Sequence, residues 1–187
     1  MMPETHEIAI HEAWSAKAYD QAFSLLATQH ASDFYRTAVR IVLDHAQAQD
    51  VVQEASIKIW KGLPAFQGRS KFSTWAYRIV VNEALASLRK SNRQHVALED
   101  LQIGQPDSPY FEADEILKAL YQALSMLPEK QRLTFQLRYF DEKPYTEISE
   151  ILGTSVGGLK ANYHHAVERI KLEMSRLNSE YTFESNE

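Results

Sequence analysis

Apolar residues recur at three- and four-residue steps along almost the whole of this 187-residue chain, and no stretch reads as a strand. That spacing places side chains on one stripe of an α-helix rather than on one face of a pleated strand. Several amphipathic helices must therefore bury their stripes against one another, and the expected fold class is all-α. Helix breakers decide the grouping. Candidate helices cover 17–43, 46–61 and 73–92, with Gly62 and Pro64 ending the second and Gln67-Gly68 in the loop before the third. Ser73 or Thr74 is placed to cap that third helix by accepting an orphan backbone N–H. From Gln94 to Asp114 the pattern lapses, because Gly104, Pro106 and Pro109 interrupt it and little apolar surface remains to bury. Further helices are expected at 112–126, 129–139, 144–152 and 156–176, with Pro128 suited to the first turn of its helix. The expected organisation is a first small domain over 1–94, a flexible acidic linker over 95–111, a second small domain over 112–177 and a frayed tail over 178–187.

The net charge of −5 speaks against nucleic-acid binding until its distribution is considered. Residues 67–95 hold Arg69, Lys71, Arg78, Arg89, Lys90 and Arg93 against Glu83 alone. Residues 96–115 hold Glu99, Asp100, Asp107, Glu112, Asp114 and Glu115 and no base. A basic block within an acidic chain makes the local field that a phosphate backbone selects. A solvated helix face is the plain alternative. Arg78, Asn82, Arg89 and Arg93 fall within about 60° of one helical face, while Ala76, Ile79, Val80 and Leu88 point largely elsewhere, toward a core. Phe66, Phe72, Trp75 and Tyr77 gather around the preceding loop. Aromatic rings can stack on extruded bases, each contributing about 1–3 kcal/mol. Core packing of the same rings, Trp75 included, is the competing reading.

Pro144 to Tyr163 carries the most specific local pattern. Ile148, Ile151 and Leu152 give a short helix one buried face, Gly153 can take the left-handed turn after it, and Ser155 can cap the next helix. That next helix buries Val156, Leu159, Tyr163, Ala166 and Ile170 on one stripe. Two short helices joined by a tight glycine turn are a helix-turn-helix, whose second helix enters the DNA major groove. Its outward face holds Gly157, Gly158, Ala161, His164 and His165, with Lys160 on the flank and Asn162 nearby. Each helical glycine costs up to about 1 kcal/mol relative to alanine. Small residues on an outer face let a helix approach a phosphate backbone closely, and Lys160, Asn162 and the histidines supply donors.

Several classes are set aside. The chain has no cysteine, which excludes disulfides and thiolate zinc sites. Adjacent positions such as His164 and His165 point about 100° apart, so a metal site is not expected there. No run of about 18 apolar residues suggests a membrane span, and the N-terminus lacks the basic start of a signal peptide. A cytoplasmic location is expected. No phosphate-cradling glycine loop, zinc-protease motif or nucleophile elbow appears, and His11, Glu12 and His45 read as isolated surface residues. The chain is therefore not expected to be an enzyme or to need a cofactor.

Two longer segments carry a family resemblance. Asp50-Val-Val-Gln-Glu54-Ala-Ser-Ile-Lys-Ile-Trp60, followed by the stretch from Phe66 through Phe72-Ser-Thr-Trp75 to Asn82, closely resembles the core-binding and promoter-melting regions of extracytoplasmic-function sigma factors. Leu127-Pro-Glu-Lys-Gln-Arg132 and the helix-turn-helix resemble the second domain of that family. The resemblance covers roughly residues 17–93 and 112–175. It implies a sigma subunit that binds core RNA polymerase, recognises and melts promoter DNA, is a monomer when free and is held inactive by an anti-sigma factor. Asp50, Gln53, Glu54 and Lys58 would dock on the polymerase clamp. Arg69, Lys71, Trp75, Arg78, Asn82 and Arg89 would meet the −10 DNA, with the loop Gln67–Lys71 and Asn82 beside a flipped base. Ser155, Gly157, Gly158, Lys160, Ala161, Asn162, His164 and His165 would read the −35 element.

The sequence departs from the family pattern in two places. Ser56 stands where an aromatic is common, and His164 and His165 replace an arginine or aromatic on the recognition helix. A dimeric helix-turn-helix regulator is the alternative function, but it leaves the Arg78–Arg93 stripe without a role.

Overall fold

A computed structural model of the chain describes residues 3–96, 120 and 122–184, with side chains described within 6–91, 120 and 122–176. Every regular element among the described residues is helical, as the periodicity requires. The chain divides into two compact units, the first taking residues 1–106 and the second the bulk of 107–187. Residues 97–111 of the expected linker, and all six of the acidic residues between Glu99 and Glu115, lie outside the described residues.

Among the described residues the first unit holds α1 (Pro3–Ser15), α2 (Tyr19–Val42), α3 (His45–Gly62) and α4 (Phe72–Val96), with a 3-10 turn at Leu63–Ala65. α2 packs against all three other helices, and α3 packs against α4. Leu26, Ala38, Ile41, Val51, Ala55, Ile59, Ala76 and Val80 are buried, which is the stripe-on-stripe solution that the sequence spacing demands. Local signals set the ends. Leu43 takes a left-handed conformation after α2, and its N–H bonds to the Val39 carbonyl. Asp44 then caps α3, its Oδ1 accepting from the Gln47 N–H at 2.6 Å. Gly62 and Pro64 end α3 as expected, with the proline at the start of the 3-10 turn.

The structure departs from expectation at both ends of α2 and α4. The helix expected from residue 17 starts at Tyr19, because Lys17 adopts φ +60° and turns the chain. Before it lies α1, which the sequence reading missed. Ile10 and Ala13 are buried while Ile8 is exposed, so its apolar stripe is too short to stand out as a period. α4 starts at Phe72, which puts Ser73 inside its first turn. There Ser73 donates rather than accepts: its N–H and its hydroxyl both bond to Glu7 Oε1, at 3.1 and 3.2 Å. Thr74 is buried. The expected Ser73 or Thr74 cap is thus replaced by a carboxylate from α1.

The second unit comprises a helical stretch at 122–125, α5 (Glu129–Phe135), a π-helical turn at Gln136–Phe140, α6 (Tyr145–Leu152) and α7 (Val156–Glu184). Pro128 sits just before the first turn of α5 as its capping residue, not within it. The helix expected over 129–139 gives way at Gln136, where the Asp141 N–H reaches back five residues to the Gln136 carbonyl. Ala123, Leu124, Leu127, Phe135, Ala166 and Ile170 form the core, with Tyr163 and Phe140 packed on it. Phe135 and Tyr163 stack with ring centroids 5.7 Å apart. α7 continues to Glu184, so the fraying expected from residue 178 is replaced by helix through that point.

Candidate functional site

On α3 the buried positions Val51, Ala55 and Ile59 face the core. Asp50, Gln53 and Glu54 are exposed on the opposite side, within about one turn of one another. Lys58, the fourth residue of the expected polymerase-docking set, is differently engaged. Its Nζ lies 2.6 Å from Glu83 Oε1 on α4. Two residues that the sequence reading passed over belong to this face. Ile57 is 40% exposed and Trp60 is 47% exposed, so the polar face ends in an apolar step. The Trp60 indole N–H donates to Asp20 Oδ1 at 2.8 Å, beside a surface cleft of about 640 Å³ lined in part by Lys17, Lys61 and Pro64. Their signal was present as apolar residues off the buried stripe, at 57 and 60 rather than 55 and 59. Ser56 is half-buried, and its hydroxyl bonds back to the Val52 carbonyl at 2.7 Å. A missing aromatic ring is thus replaced by a self-satisfied hydroxyl.

The basic helix α4 separates its faces cleanly. Ala76, Tyr77, Val80, Val81 and Ala84 are buried, while Arg78, Asn82, Arg89 and Lys90 are exposed. Arg69 and Lys71 are exposed in the preceding loop, as are Gln67 and Gly68. The side chain of Arg93 lies outside the described residues. Glu83, the one acid in the block, is held by Lys58, whose positive charge offsets a negative one that would oppose a phosphate. The side chains that could meet a nucleic-acid backbone therefore lie along one helix and the loop leading into it.

The aromatic group splits. Phe66, Phe72 and Trp75 form a cluster with Trp14 of α1: Phe66 lies 4.2 Å from Phe72 and 5.2 Å from Trp75, and Trp14 lies 5.7 Å from both Phe66 and Phe72. Tyr77 instead packs against Phe34 at 5.0 Å, away from any stacking role. Trp75 is half-buried against Gly62, whose absent side chain makes room: a Cβ there would sit 2.8 Å from the indole. Among the described residues the indole is held by packing.

The helix-turn-helix follows its expected geometry. Gly153 adopts φ +63°, and its N–H bonds to the Ser149 carbonyl. Ser155 Oγ accepts from the Gly158 N–H at 3.2 Å. Leu159, Ala166 and Ile170 are buried, Val156 and Tyr163 half-buried. Ser155, Gly157, Lys160, Ala161, His164 and His165 are exposed, and Gly158 and Asn162 are half-exposed. The two glycines have different reasons to exist. A Cβ on Gly158 would press to 3.2 Å from Ser155 Oγ and 3.3 Å from Thr154, so that glycine serves the cap. A Cβ on Gly157 would meet nothing within 4 Å. The fold does not require it.

Polar packing supports the turn into α6. Lys143 is nearly buried, and its Nζ lies 2.8 Å from Glu147 Oε1. Arg138 donates to the Lys143 carbonyl and lies over the Tyr145 ring. On α5, burial pulls the Arg132 guanidinium below its ordinary pKa, with Glu129 opposing. The rings of His164 and His165 are tilted with centroids 5.7 Å apart. Among the described residues no group of three or more His, Cys, Asp or Glu side chains could hold a metal ion, and no helix is long and apolar enough to cross a membrane.

Comparison with known proteins identifies the family of both units. The family model for sigma-70 region 2 matches residues 26–94, and that for sigma-70 region 4 matches residues 117–170. The RNA polymerase sigma-H factor of Pseudomonas aeruginosa is 31% identical over 173 residues, covering 84% of this chain and 88% of that protein. The ECF RNA polymerase sigma-E factor of Escherichia coli K12 is 30% identical over 175 residues, covering 86% and 91%. The sigma factor RpoE of Bartonella quintana, solved in complex with the anti-sigma factor NepR, has a similar fold, with a TM-score of 0.67, 23% identity, and coverage of 85% of this chain and 98% of that one. With two sigma-70 regions in sequence and relatives matching across most of its length, the chain belongs to the extracytoplasmic-function group of RNA polymerase sigma factors, which direct transcription initiation.

Proposed function

We propose a division of labour within this sigma factor. The α3 face of Asp50, Gln53 and Glu54 docks on core RNA polymerase, with exposed Ile57 and Trp60 supplying the apolar contact that polar faces lack. The loop 67–71 and the α4 stripe of Arg78, Asn82 and Arg89 bind and open the −10 DNA. The outer face of α7, from Ser155 to His165, reads the −35 element. The observation that carries this reading is α4: a helix buried along Ala76, Val80 and Val81 spends its exposed side on Arg78, Asn82 and Arg89. A row of exposed cationic and amide side chains along one helix attracts a phosphate backbone.

Opening DNA this way needs no catalysis. Base stacking and capture contribute about 1–3 kcal/mol per base, comparable to the few kcal/mol required to unstack a nucleotide. The chain is accordingly a binding subunit that performs no chemistry of its own, works in the cytoplasm where the polymerase is, and is a monomer when free. Regulation by an anti-sigma factor fits the same surfaces, since a partner that covers α3 or α4 would block polymerase or DNA. Domain limits of 1–94 and 112–177 with a linker over 95–111 accord with this division.

The test is capture of purified core polymerase by the full chain, followed by run-off transcription and promoter mapping on genomic DNA. Core binding at micromolar affinity or better and discrete start sites are expected. Absence of core binding overturns the proposal.

A further inference from the structure

We propose that α1 sets the position of the −10 reading loop, with Glu7 as the positioning residue. The inference rests on the assignment of the loop 67–71 and α4 to the −10 DNA. Three contacts tie α1 to the two ends of that loop. At the start of α4 the Glu7 carboxylate accepts both the N–H and the hydroxyl of Ser73, at 3.1 and 3.2 Å. On the other side of the loop, Trp14 Nε1 donates to the Leu63 carbonyl at 2.8 Å. Between them Trp14 packs at 5.7 Å from both Phe66 and Phe72, the residues that flank the loop and that approach each other to 4.2 Å.

α4 has no acidic residue in its first turn, and the side chain that accepts the Ser73 N–H comes from 66 residues away. A carboxylate there satisfies an orphan N–H and complements the positive end of the helix. The loop residues Gln67, Gly68, Arg69 and Lys71 are themselves exposed, so their position is set from the loop's base. α1 supplies much of that base. It also lies wholly before residue 26, where the match to sigma-70 region 2 begins. Glu7 therefore acts through Ser73 and the first turn of α4, on where Lys71 and Trp75 stand.

The experiment compares wild type, Glu7→Ala and Glu7→Gln as full-length chains in holoenzyme. The DNA is a promoter fragment recovered by run-off mapping with the wild type. Permanganate reactivity of −10 thymines reports opening, and a fluorescence titration with core polymerase reports docking. Loss of one helix cap corresponds to about a fivefold effect. Glu7→Ala should open the −10 region about fivefold less while binding core within twofold of wild type. Glu7→Gln keeps an acceptor oxygen without the charge and should restore most of the opening. On a fragment with a pre-melted −10 bubble the Glu7→Ala holoenzyme should bind about fivefold more weakly than wild type, because the defect lies in holding bases and not in separating strands. Equal opening by Glu7→Ala and wild type overturns the inference, as does a parallel fivefold loss of core binding, which would make Glu7 a general fold contact. A wild-type holoenzyme that leaves −10 thymines unreactive overturns the underlying assignment as well.

Discussion

Gly157→Ala should make the second unit more stable and the protein a poorer reader of DNA. A Cβ at this position points into open space with nothing within 4 Å, so alanine introduces no clash. It gains the helix propensity that glycine forfeits, about 0.5–1 kcal/mol. For a unit of this size that corresponds to a rise in Tm of roughly 2–8 °C. The methyl group then stands on the exposed face of α7, where the helix is proposed to approach the duplex. A methyl forced into a closely packed contact costs about 1–3 kcal/mol, a loss of affinity of roughly five- to a hundredfold. The neighbouring Gly158→Ala provides the contrast. Its Cβ would press on Ser155 Oγ at 3.2 Å, so weakening of the Ser155 cap offsets the propensity gain and no rise in Tm is expected. Thermal melting of the two variants and fluorescence anisotropy of their holoenzymes on a −35 duplex test this directly. A stabilised Gly157→Ala that binds DNA within twofold of wild type would refute the reasoning, since the glycine would then have neither a structural nor a recognition role.

Three other perturbations probe the remaining surfaces. Arg78→Ala should reduce the slope of log affinity against log salt by about 0.9 for duplex or about 0.7 for single-stranded DNA if Arg78 holds one phosphate; an unchanged slope in a salt titration of holoenzyme binding would remove it from the interface. Glu147→Ala deprives the nearly buried Lys143 of a partner at 2.8 Å and should cost about 1–3 kcal/mol, read as a lower denaturation midpoint with an unchanged slope. Gly62→Ala places a Cβ 2.8 Å from the Trp75 ring and should destabilise the first unit by about 1–3 kcal/mol while shifting tryptophan fluorescence; unchanged stability and emission would show that the indole is free to move.

Local chemistry explains which parts of this molecule could be read from its sequence. The helix-turn-helix was legible because each of its devices lies within three residues of what it serves: Gly153 supplies a left-handed conformation after α6, and Ser155 accepts from Gly158. The two faces of α4 were legible because one period sorts Arg78 and Asn82 from Ala76 and Val80. The failures were non-local. Glu7 and Ser73 are 66 residues apart, so a local rule assigned the cap to the serine itself. The Lys58 ion pair was hidden for the same reason, because nothing near Lys58 in the chain reveals that Glu83 comes alongside. α1 was missed because a helix with so few buried positions owes its stability to α2 and α4, against which it packs, more than to its own pattern. Ile57 and Trp60 are exposed, and their signal was local, since both lie off the stripe of Val51, Ala55 and Ile59.

The π-helical turn at Gln136–Phe140 bears on how relatives of this protein should be aligned. Such a turn is an α-helix carrying one residue more than its hydrogen-bond ladder uses. A homologue one residue shorter here can close the ladder into regular helix without losing any core position. Single-residue gaps in the second unit should therefore collect within 136–140, ahead of the Asp141–Pro144 connection. A gap drawn instead inside α7 would displace Leu159, Ala166 and Ile170 from the interior and should be treated as an alignment error.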